Sequence, residues 1–418
     1  MGQKPVPHLR VGLIGTGRIS DIYLKTCARF PELDITACGS LNPQESRAKA
    51  EAFGVPSTGT PDEIIADPQI DCILNLTVPS AHADISIKAL TAGKHVYSEK
   101  PFATAVADGQ RILDLAQAKG LKVGNAPDTF LGGRWQTVRK LIDQGLIGSP
   151  TGVMAFVGTH GVERHHPNPD FYYQTGGGPL LDLGPYYLTA MVFLLGPISQ
   201  VSGMARRTFS RRMIENGPRH GDWMPVEVDT HSQSMIRFSS GVIGTMTMSF
   251  DVWDSETPRF EIYGEEGTIC IPDPDPVHGA NIFQGPVWYR TRAQSRWEFQ
   301  PRPTGRDDWQ LAKTTHGFNE DCRGLGLLDL AYAVRDDRPV RAGGDLAQHV
   351  LKVMAGIEES AREGRLVDID GSCRVPDRLP ETFPASENAL SVDGAPENSG
   401  PACTAPANLM PEDIQNAG

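Results

Sequence analysis

"RVGLIGTGRIS" occupies residues 10–20. An apolar run ends on Gly15, and a second glycine, Gly17, stands two places on. Behind them "RISDIYLKTCARF" (18–30) spaces its apolar residues as a helix does. A short buried strand, a glycine turn and a helix opening directly after it suit a dinucleotide. Gly15 permits the tight turn, and Gly17 lets the backbone approach a pyrophosphate. The helix start offers free N–H groups and the positive end of its dipole. Thr16, Arg18 and Ile19 share that turn, and Ser20 stands where the fingerprint has its third small residue. A GxG alone says little; the strand before it and the helix after it give it weight.

The alternation continues outward. "DITACGS" (34–40) reads as a strand and "PQESRAKAEAFG" (43–54) as a helix stopped by glycine. "IDCILNLTV" (70–78) is apolar nearly throughout, as in a strand covered on both faces. Then follow the helix "HADISIKALTAG" (82–93), the strand "KHVYSEK" (94–100), the helix at 103–120 and the strand "LKVGNA" (121–126). This rhythm predicts an α/β fold: a doubly wound parallel Rossmann sheet in an NAD(P)-binding domain over residues 1–130.

After a helix at 133–145 the pattern changes. "TGVMAFVGT", "SQVSGMARR", "HSQSMIRF", "VIGTMTMSF", "RFEIYG" and "TICIP" are strands, some joined by tight turns such as "FSSG" and "GEEG". Residues 131–370 therefore read as an α+β domain with a mostly antiparallel sheet and few crossing helices, closed by helices at about 318–336 and 344–363. From 371 to 418 Pro, Ala, Ser, Asn and Gly dominate, as in a disordered tail or an arm lying on a neighbouring subunit.

The 418 residues carry 39% hydrophobic and 22% charged side chains and a net charge of −12, a soluble globular balance. That charge argues against nucleic acid. The densest basic run, "RRTFSRR" (206–212), reads as a solvated loop or strand edge. No stretch approaches the ~20 apolar residues of a membrane span, and the first residues have no apolar signal core. The seven cysteines lack CxxC spacing, and Cys38 and Cys72, in apolar strand-like runs, read as buried free thiols. A cytoplasmic protein is the expectation.

The acid that grips ribose hydroxyls should follow the second strand, but Ser40 stands there. No carboxylate repels a 2′-phosphate, and no arginine adjoins to bind one. Ser40 and Asn42 can both hydrogen-bond a ribose hydroxyl. The cofactor is thus NAD or NADP, inclined to NAD.

Four stretches carry a family resemblance: the turn at 15–17, "TVPSAH" (77–82), "AGKHVYSEKP" (92–101) and "GGGPLLDLGPYYLTAMVFLLG" (176–196). They resemble the Gfo/Idh/MocA oxidoreductases, as does the closing segment 324–360. The resemblance implies hydride transfer between a nicotinamide cofactor and a hydroxyl-bearing carbon of a sugar, polyol or glycoside. It implies that Lys100 meets the hydroxyl being oxidised, that Pro101 fixes the chain direction after it, and that Thr77, Pro79, His82 and Glu99 border the nucleotide. A homodimer or homotetramer through the open sheet is the implied assembly. A lysine at a strand's carboxyl edge donates to the substrate oxygen and stabilises the developing alkoxide. Burial and a cationic nicotinamide would push its pKa below the ordinary ~10.4.

One departure matters. Many family members carry a histidine four residues after the aspartate of the second motif, whereas here Asp182 is followed by Tyr186. This resembles the Lys–Tyr subgroup, with glucose–fructose oxidoreductase and the dimeric dihydrodiol dehydrogenases. Tyr186 is then the proton carrier beside Lys100. Asp182 either caps the helix or shares a face with Tyr186 and holds a second substrate hydroxyl; Tyr187 reads as core. The polar, aromatic loop "THGVERHHPNPDFYYQTGGGP" (159–179) offers His165, His166, Asn168 and Tyr172 to a carbohydrate-like substrate. Adjacent histidines chelate poorly, so no metal is expected. His231 faces the same cleft or is a satisfied sheet histidine. Two other readings stand beside the dehydrogenase: an NAD-dependent glycoside hydrolase with transient sugar oxidation, and a non-catalytic NAD(P)-binding sensor.

Overall fold

The computed structural model describes residues 8–272, 285–294, 308–371 and 373–384. The first sheet contains β1 (Leu9–Ile14), β2 (Leu33–Gly39), β3 (Ser57–Thr58), β4 (Cys72–Asn75), β5 (His95–Ser98) and β6 (Val123–Asn125). Their order is β3-β2-β1-β4-β5-β6, and every pair is parallel. Val11, Leu13 and Ile14 are fully buried, as the unbroken apolar run requires. The connecting helices are α1 (Ser20–Cys27), α2 (Pro43–Phe53), α3 (Pro61–Ala66), α4 (His82–Thr91) and α5 (Val106–Lys119). Local chemistry sets their ends. Asn42 caps α2, Thr60 and Glu63 form a reciprocal capping box on α3, and Gly54 and Gly120 close α2 and α5 in the left-handed conformation. The strand order reverses between β1 and β4. The carboxyl ends of the strands there open the crevice where doubly wound sheets bind ligands.

After α6 (Gly133–Asp143) the chain builds the second sheet. Its strands include β7 (Pro150–Gly158), β8 (Ile198–Arg206), β11 (His231–Phe238), β12 (Ile243–Ser249), β13 (Phe260–Gly264), β14 (Gly267–Ile271) and β15 (Trp288–Thr291). The short β16 (Gln310–Leu311) and β17 (Val367–Asp368) are its edges, while β9 (Arg211–Met213) and β10 (Trp223–Pro225) pair separately. The pairings are antiparallel except β7 with β12, which is parallel. Helices α7 (Pro179–Leu195) and α9 (Gly344–Glu363) cover one face. The other face shows the alternation of a half-covered sheet, with Met204, Met235 and Ile243 exposed.

The closing helices return to the first sheet. Asn125 donates its N–H to Ala342 O at 2.8 Å, and Gln348 Nε2 donates to Val106 O at 2.9 Å. Helix α8 spans Leu325–Asp336, not 318–336. Gly324 sits at φ +114°, and Asp128 Oδ2 accepts the N–H groups of Gly324 and Gly326 at 2.8 and 2.9 Å. The helix starts where that carboxylate takes its first free donors. Residues 373–384, expected to begin a loose tail, pack on the protein instead. Leu379 is buried, donates its N–H to Gln136 Oε1 at 2.8 Å and faces His316 Nε2 with its carbonyl at 3.0 Å. Residues 385–418, the rest of that expected tail or arm, lie outside the described residues. Six cysteines are buried free thiols, and Cys403 lies outside the described residues. Among the described residues no helix is long and apolar enough to cross a membrane.

Candidate active site

The turn after β1 brings chain close to chain. Gly15 has φ +106°, and a Cβ there would stand 2.4 Å from Leu76 O. A Cβ on Gly17 would meet no atom of the described residues within 4 Å. Thr16 is buried, yet its Oγ1 has no hydrogen-bond partner among the described residues. An orphaned buried hydroxyl, an open backbone at Gly17 and the start of α1 fit a pyrophosphate, so Gly15, Thr16, Gly17, Arg18 and Ile19 would hold that part of a dinucleotide. At the end of β2, Ser40 Oγ accepts from Asn42 N at 3.2 Å. Asn42 is committed elsewhere: its Oδ1 accepts from Gln44 N at 3.0 Å and its Nδ2 donates to Glu45 Oε1 at 2.9 Å. Ser40 Oγ is engaged as well, 3.1 Å from Asn42 O and 3.1 Å from Ser46 Oγ, so both side chains expected at the ribose are held within the turn between β2 and α2. Leu41 and Val78 are 95% and 64% exposed and put apolar surface on the same rim, which polarity-based reading passed over.

The end of β4 is held from within. Thr77 Oγ1 donates to Asn75 Oδ1 at 2.7 Å, and Asn75 Nδ2 donates to His82 O at 3.0 Å. The buried His82 ring lies between Pro101 O at 2.7 Å and Thr77 O at 2.9 Å. It ties the Thr77–Pro79 loop to the EKP turn, and both ring nitrogens are occupied by protein. Glu99 is likewise internal. Its Oε1 accepts from Tyr23 Oη at 2.8 Å and its Oε2 from Lys100 N at 2.9 Å. Both residues anchor the turn that presents Lys100.

Lys100 precedes a cis peptide to Pro101. Its Nζ donates to Asp182 Oδ1 at 2.7 Å and to Asp182 O at 2.9 Å. Asp182 lies inside α7, whose cap is Gly178, so it shares a face with Tyr186 one turn on. Pro185 is also interior; it has no N–H for the Leu181 carbonyl. Lys100 Nζ stands 5.2 Å from the centre of the Tyr186 ring. Burial alone would lower the Lys100 pKa, but the Asp182 carboxylate, with Tyr186 and Glu99, outweighs it and holds the ammonium above its ordinary value. This reverses the expectation from the sequence, which weighed Glu99 as the group orienting the lysine and did not set Asp182 against it. Tyr187 is buried core.

The loop before α7 contributes unevenly. Burial, with the nearby charges of Asp182 and Tyr186, pushes the Tyr172 phenol up to about 12 against the opposing Lys100 and Arg18. Tyr172 thus lies within electrostatic reach of Lys100, Asp182 and Tyr186. The His166 ring meets Tyr172 edge-on at 5.5 Å and accepts from Asn168 N at 3.1 Å through Nδ1. His165 and Asn168 are exposed on the rim, and the His165 carbonyl accepts from Asn216 Nδ2 at 2.8 Å. His231 is a satisfied sheet histidine, its Nδ1 2.8 Å from Ser249 Oγ. Sequence reading missed Arg323, in the turn ahead of α8. Its guanidinium pairs with Asp321 and lies in the field of Tyr186 and Glu99. The one available signal was an arginine set against glycine in "DCRGLG". Behind Lys100, a cavity of about 20 Å³ bordered by Asn125, Pro185, Thr189 and Met354 has room for one water and none for a sugar.

Residues 9–126 match an oxidoreductase family with an NAD-binding Rossmann fold, and residues 135–270 match the GFO/IDH/MocA C-terminal domain. A dTDP-3,4-didehydro-2,6-dideoxy-alpha-D-glucose 3-reductase of Saccharopolyspora spinosa is 32% identical over 338 residues, covering 79% of this chain and 92% of that protein. The enzyme of the same name from Streptomyces violaceoruber is 32% identical over 217 residues, 51% of this chain and 62% of that protein. Levoglucosan dehydrogenase of Pseudarthrobacter phenanthrenivorans is 27% identical over 387 residues, 87% of this chain and 98% of that protein. A solved levoglucosan dehydrogenase in complex with NADH and levoglucosan superposes with a TM-score of 0.72 at 22% identity, over 87% of this chain and all of that one, a likeness of fold.

Proposed function

The chain belongs to the Gfo/Idh/MocA family of oxidoreductases, and from that premise we propose that it transfers a hydride between NAD(P) and a hydroxyl-bearing carbon of a sugar or polyol, with Lys100 and Tyr186 as its catalytic pair. The observation that supports this most is the meeting of Lys100, from the carboxyl edge of the first sheet, with Asp182 and Tyr186 on α7. The nicotinamide, when bound, takes up the hydride. The chain's own side chains handle the oxygen and its proton. Lys100 stays an ammonium, which has donors and no acceptor, so it stabilises the oxygen as charge develops and cannot be the base. Asp182 fixes the direction of that ammonium. Tyr186, reacting as its phenolate, receives the hydroxyl proton and then releases it to solvent. Tyr172 and His166 supply an aromatic and a hydrogen-bonding wall for a sugar. The outer face of the second sheet, with Met204, Met235 and Ile243 exposed, is the surface proposed to meet a second copy of the chain.

The test is reduction of NAD⁺ and NADP⁺ with a panel of aldoses, inositols, polyols and glycosides, run beside Lys100→Met. Turnover by the wild type, with a loss of at least about 10²-fold in the variant at unchanged nucleotide affinity, is expected. Full turnover in the variant sinks the mechanism. Aglycone release without net nucleotide reduction points to the hydrolase instead.

A further inference from the structure

We propose that Arg212 is the positioning residue for the substrate side of the site, setting Tyr172 and the first turn of α7 from a buried ionic hub. The inference rests on the reading of Tyr172 and Tyr186 as site residues. The last arginine of the basic run at 206–212 is not solvated: its side chain is 5% exposed. Its Nη1 donates to Glu163 Oε1 at 2.6 Å, and its Nη2 donates to Phe250 O at 2.8 Å and to Asp251 Oδ1. Glu163 and Asp251 are themselves buried, at 4% and 9% of side-chain exposure, and Thr230 Oγ1 donates to Asp251 Oδ2 at 2.7 Å. One guanidinium thus joins β9, the end of β12 and the loop at 159–178.

From the hub a chain of bonds runs into the site. Tyr173 Oη donates to Glu163 Oε2 and accepts from Val162 N at 3.3 Å. Tyr173 is fully buried, and its carbonyl accepts from Glu227 N at 2.8 Å. Its neighbour Tyr172 is tethered through the backbone, and the Tyr172 carbonyl accepts from Gly178 N at 2.7 Å. Gly178 caps α7, and its carbonyl takes the N–H of Asp182 at 3.0 Å. Arg212 reaches Asp182 and Tyr186 only through these intermediates. A guanidinium fork can satisfy two carboxylates and a carbonyl together; a lysine ammonium is a point donor and cannot span them in the same geometry.

The test compares wild type, Arg212→Lys, Arg212→Met and Glu163→Gln by amide hydrogen exchange of the purified proteins, which requires no substrate. The Lys and Gln variants serve if the Met variant fails to fold. Faster exchange confined to 161–182, with the first sheet still protected and NADH affinity unchanged, is expected. With the panel sugar that the wild type turns over, KM should rise at least about tenfold more than kcat falls. Uniform loss of protection across both sheets, or exchange at 161–182 equal to wild type, overturns the proposal. A wild type that turns over no sugar would count against the proposed function and leave the exchange result to judge Arg212.

Discussion

Gly15 shows how much one side chain decides. Its φ of +106° and the Leu76 carbonyl at its back leave no place for a methyl group. Gly15→Ala should cost about 1–3 kcal/mol of backbone strain and weaken NADH binding at least about tenfold. Fluorescence titration with NADH measures the second, and unchanged affinity would show that the turn does not grip the nucleotide. Gly15 and the adjoining strand and helix were legible because a backbone requirement leaves its mark in sequence. The partners of Lys100 were only half legible. Asp182 lies 82 positions away, and local pattern cannot say whether its carboxylate caps a helix, holds substrate or grips the lysine. Asn42 misled for a related reason: an exposed amide after a strand suits a ribose and a helix cap equally, and α2 claimed it.

At the scale of elements, α8 carries a pH dependence. Asp128 is buried, and desolvation lifts its carboxyl from its ordinary value to about 6 despite the N–H groups of Gly324 and Gly326. The folded state then holds a proton more tightly than the unfolded chain. Stability is greatest below about pH 4 on this account and falls as pH rises to about 6, by about 3 kcal/mol in all. Asp128→Asn keeps an acceptor for both N–H groups and removes the charge. Its denaturation midpoint, relative to wild type, should rise between pH 4.5 and pH 8. A constant difference at both values would contradict the assignment. The start of α8 was misplaced from sequence because apolar periodicity runs on through 318–324, while the capping carboxylate comes from the far side of β6.

For the molecule as a whole, the two sheets differ in what they leave open. The first is covered on both faces; the second is covered on one by α7 and α9. Met204, Met235 and Ile243 on the bare face are 81%, 60% and 48% exposed. The double variant Met204→Glu, Met235→Glu should lower the mass seen by light scattering to that of one chain, while the wild type runs as a multiple. A wild type of single-chain mass would end that reading. The bare face was anticipated through the family resemblance, whereas the parallel pairing of β7 with β12 was not legible, since period-2 alternation is the same in either direction.

The returning C-terminal leg bears on how such chains can be recombined. Ala342 and Gly343 pair with the last strand of the nucleotide sheet, Tyr332 Oη donates to Glu32 at 2.8 Å, and Asp128 holds the turn carrying Arg323. A chimaera spliced once near residue 130 would import a foreign counterpart of Tyr186 together with foreign helices that must finish the host's own first sheet. Exchange of substrate preference between relatives calls for two crossovers, one after α6 begins and one ahead of Arg323, so that the nucleotide half keeps both ends of the chain it was built with.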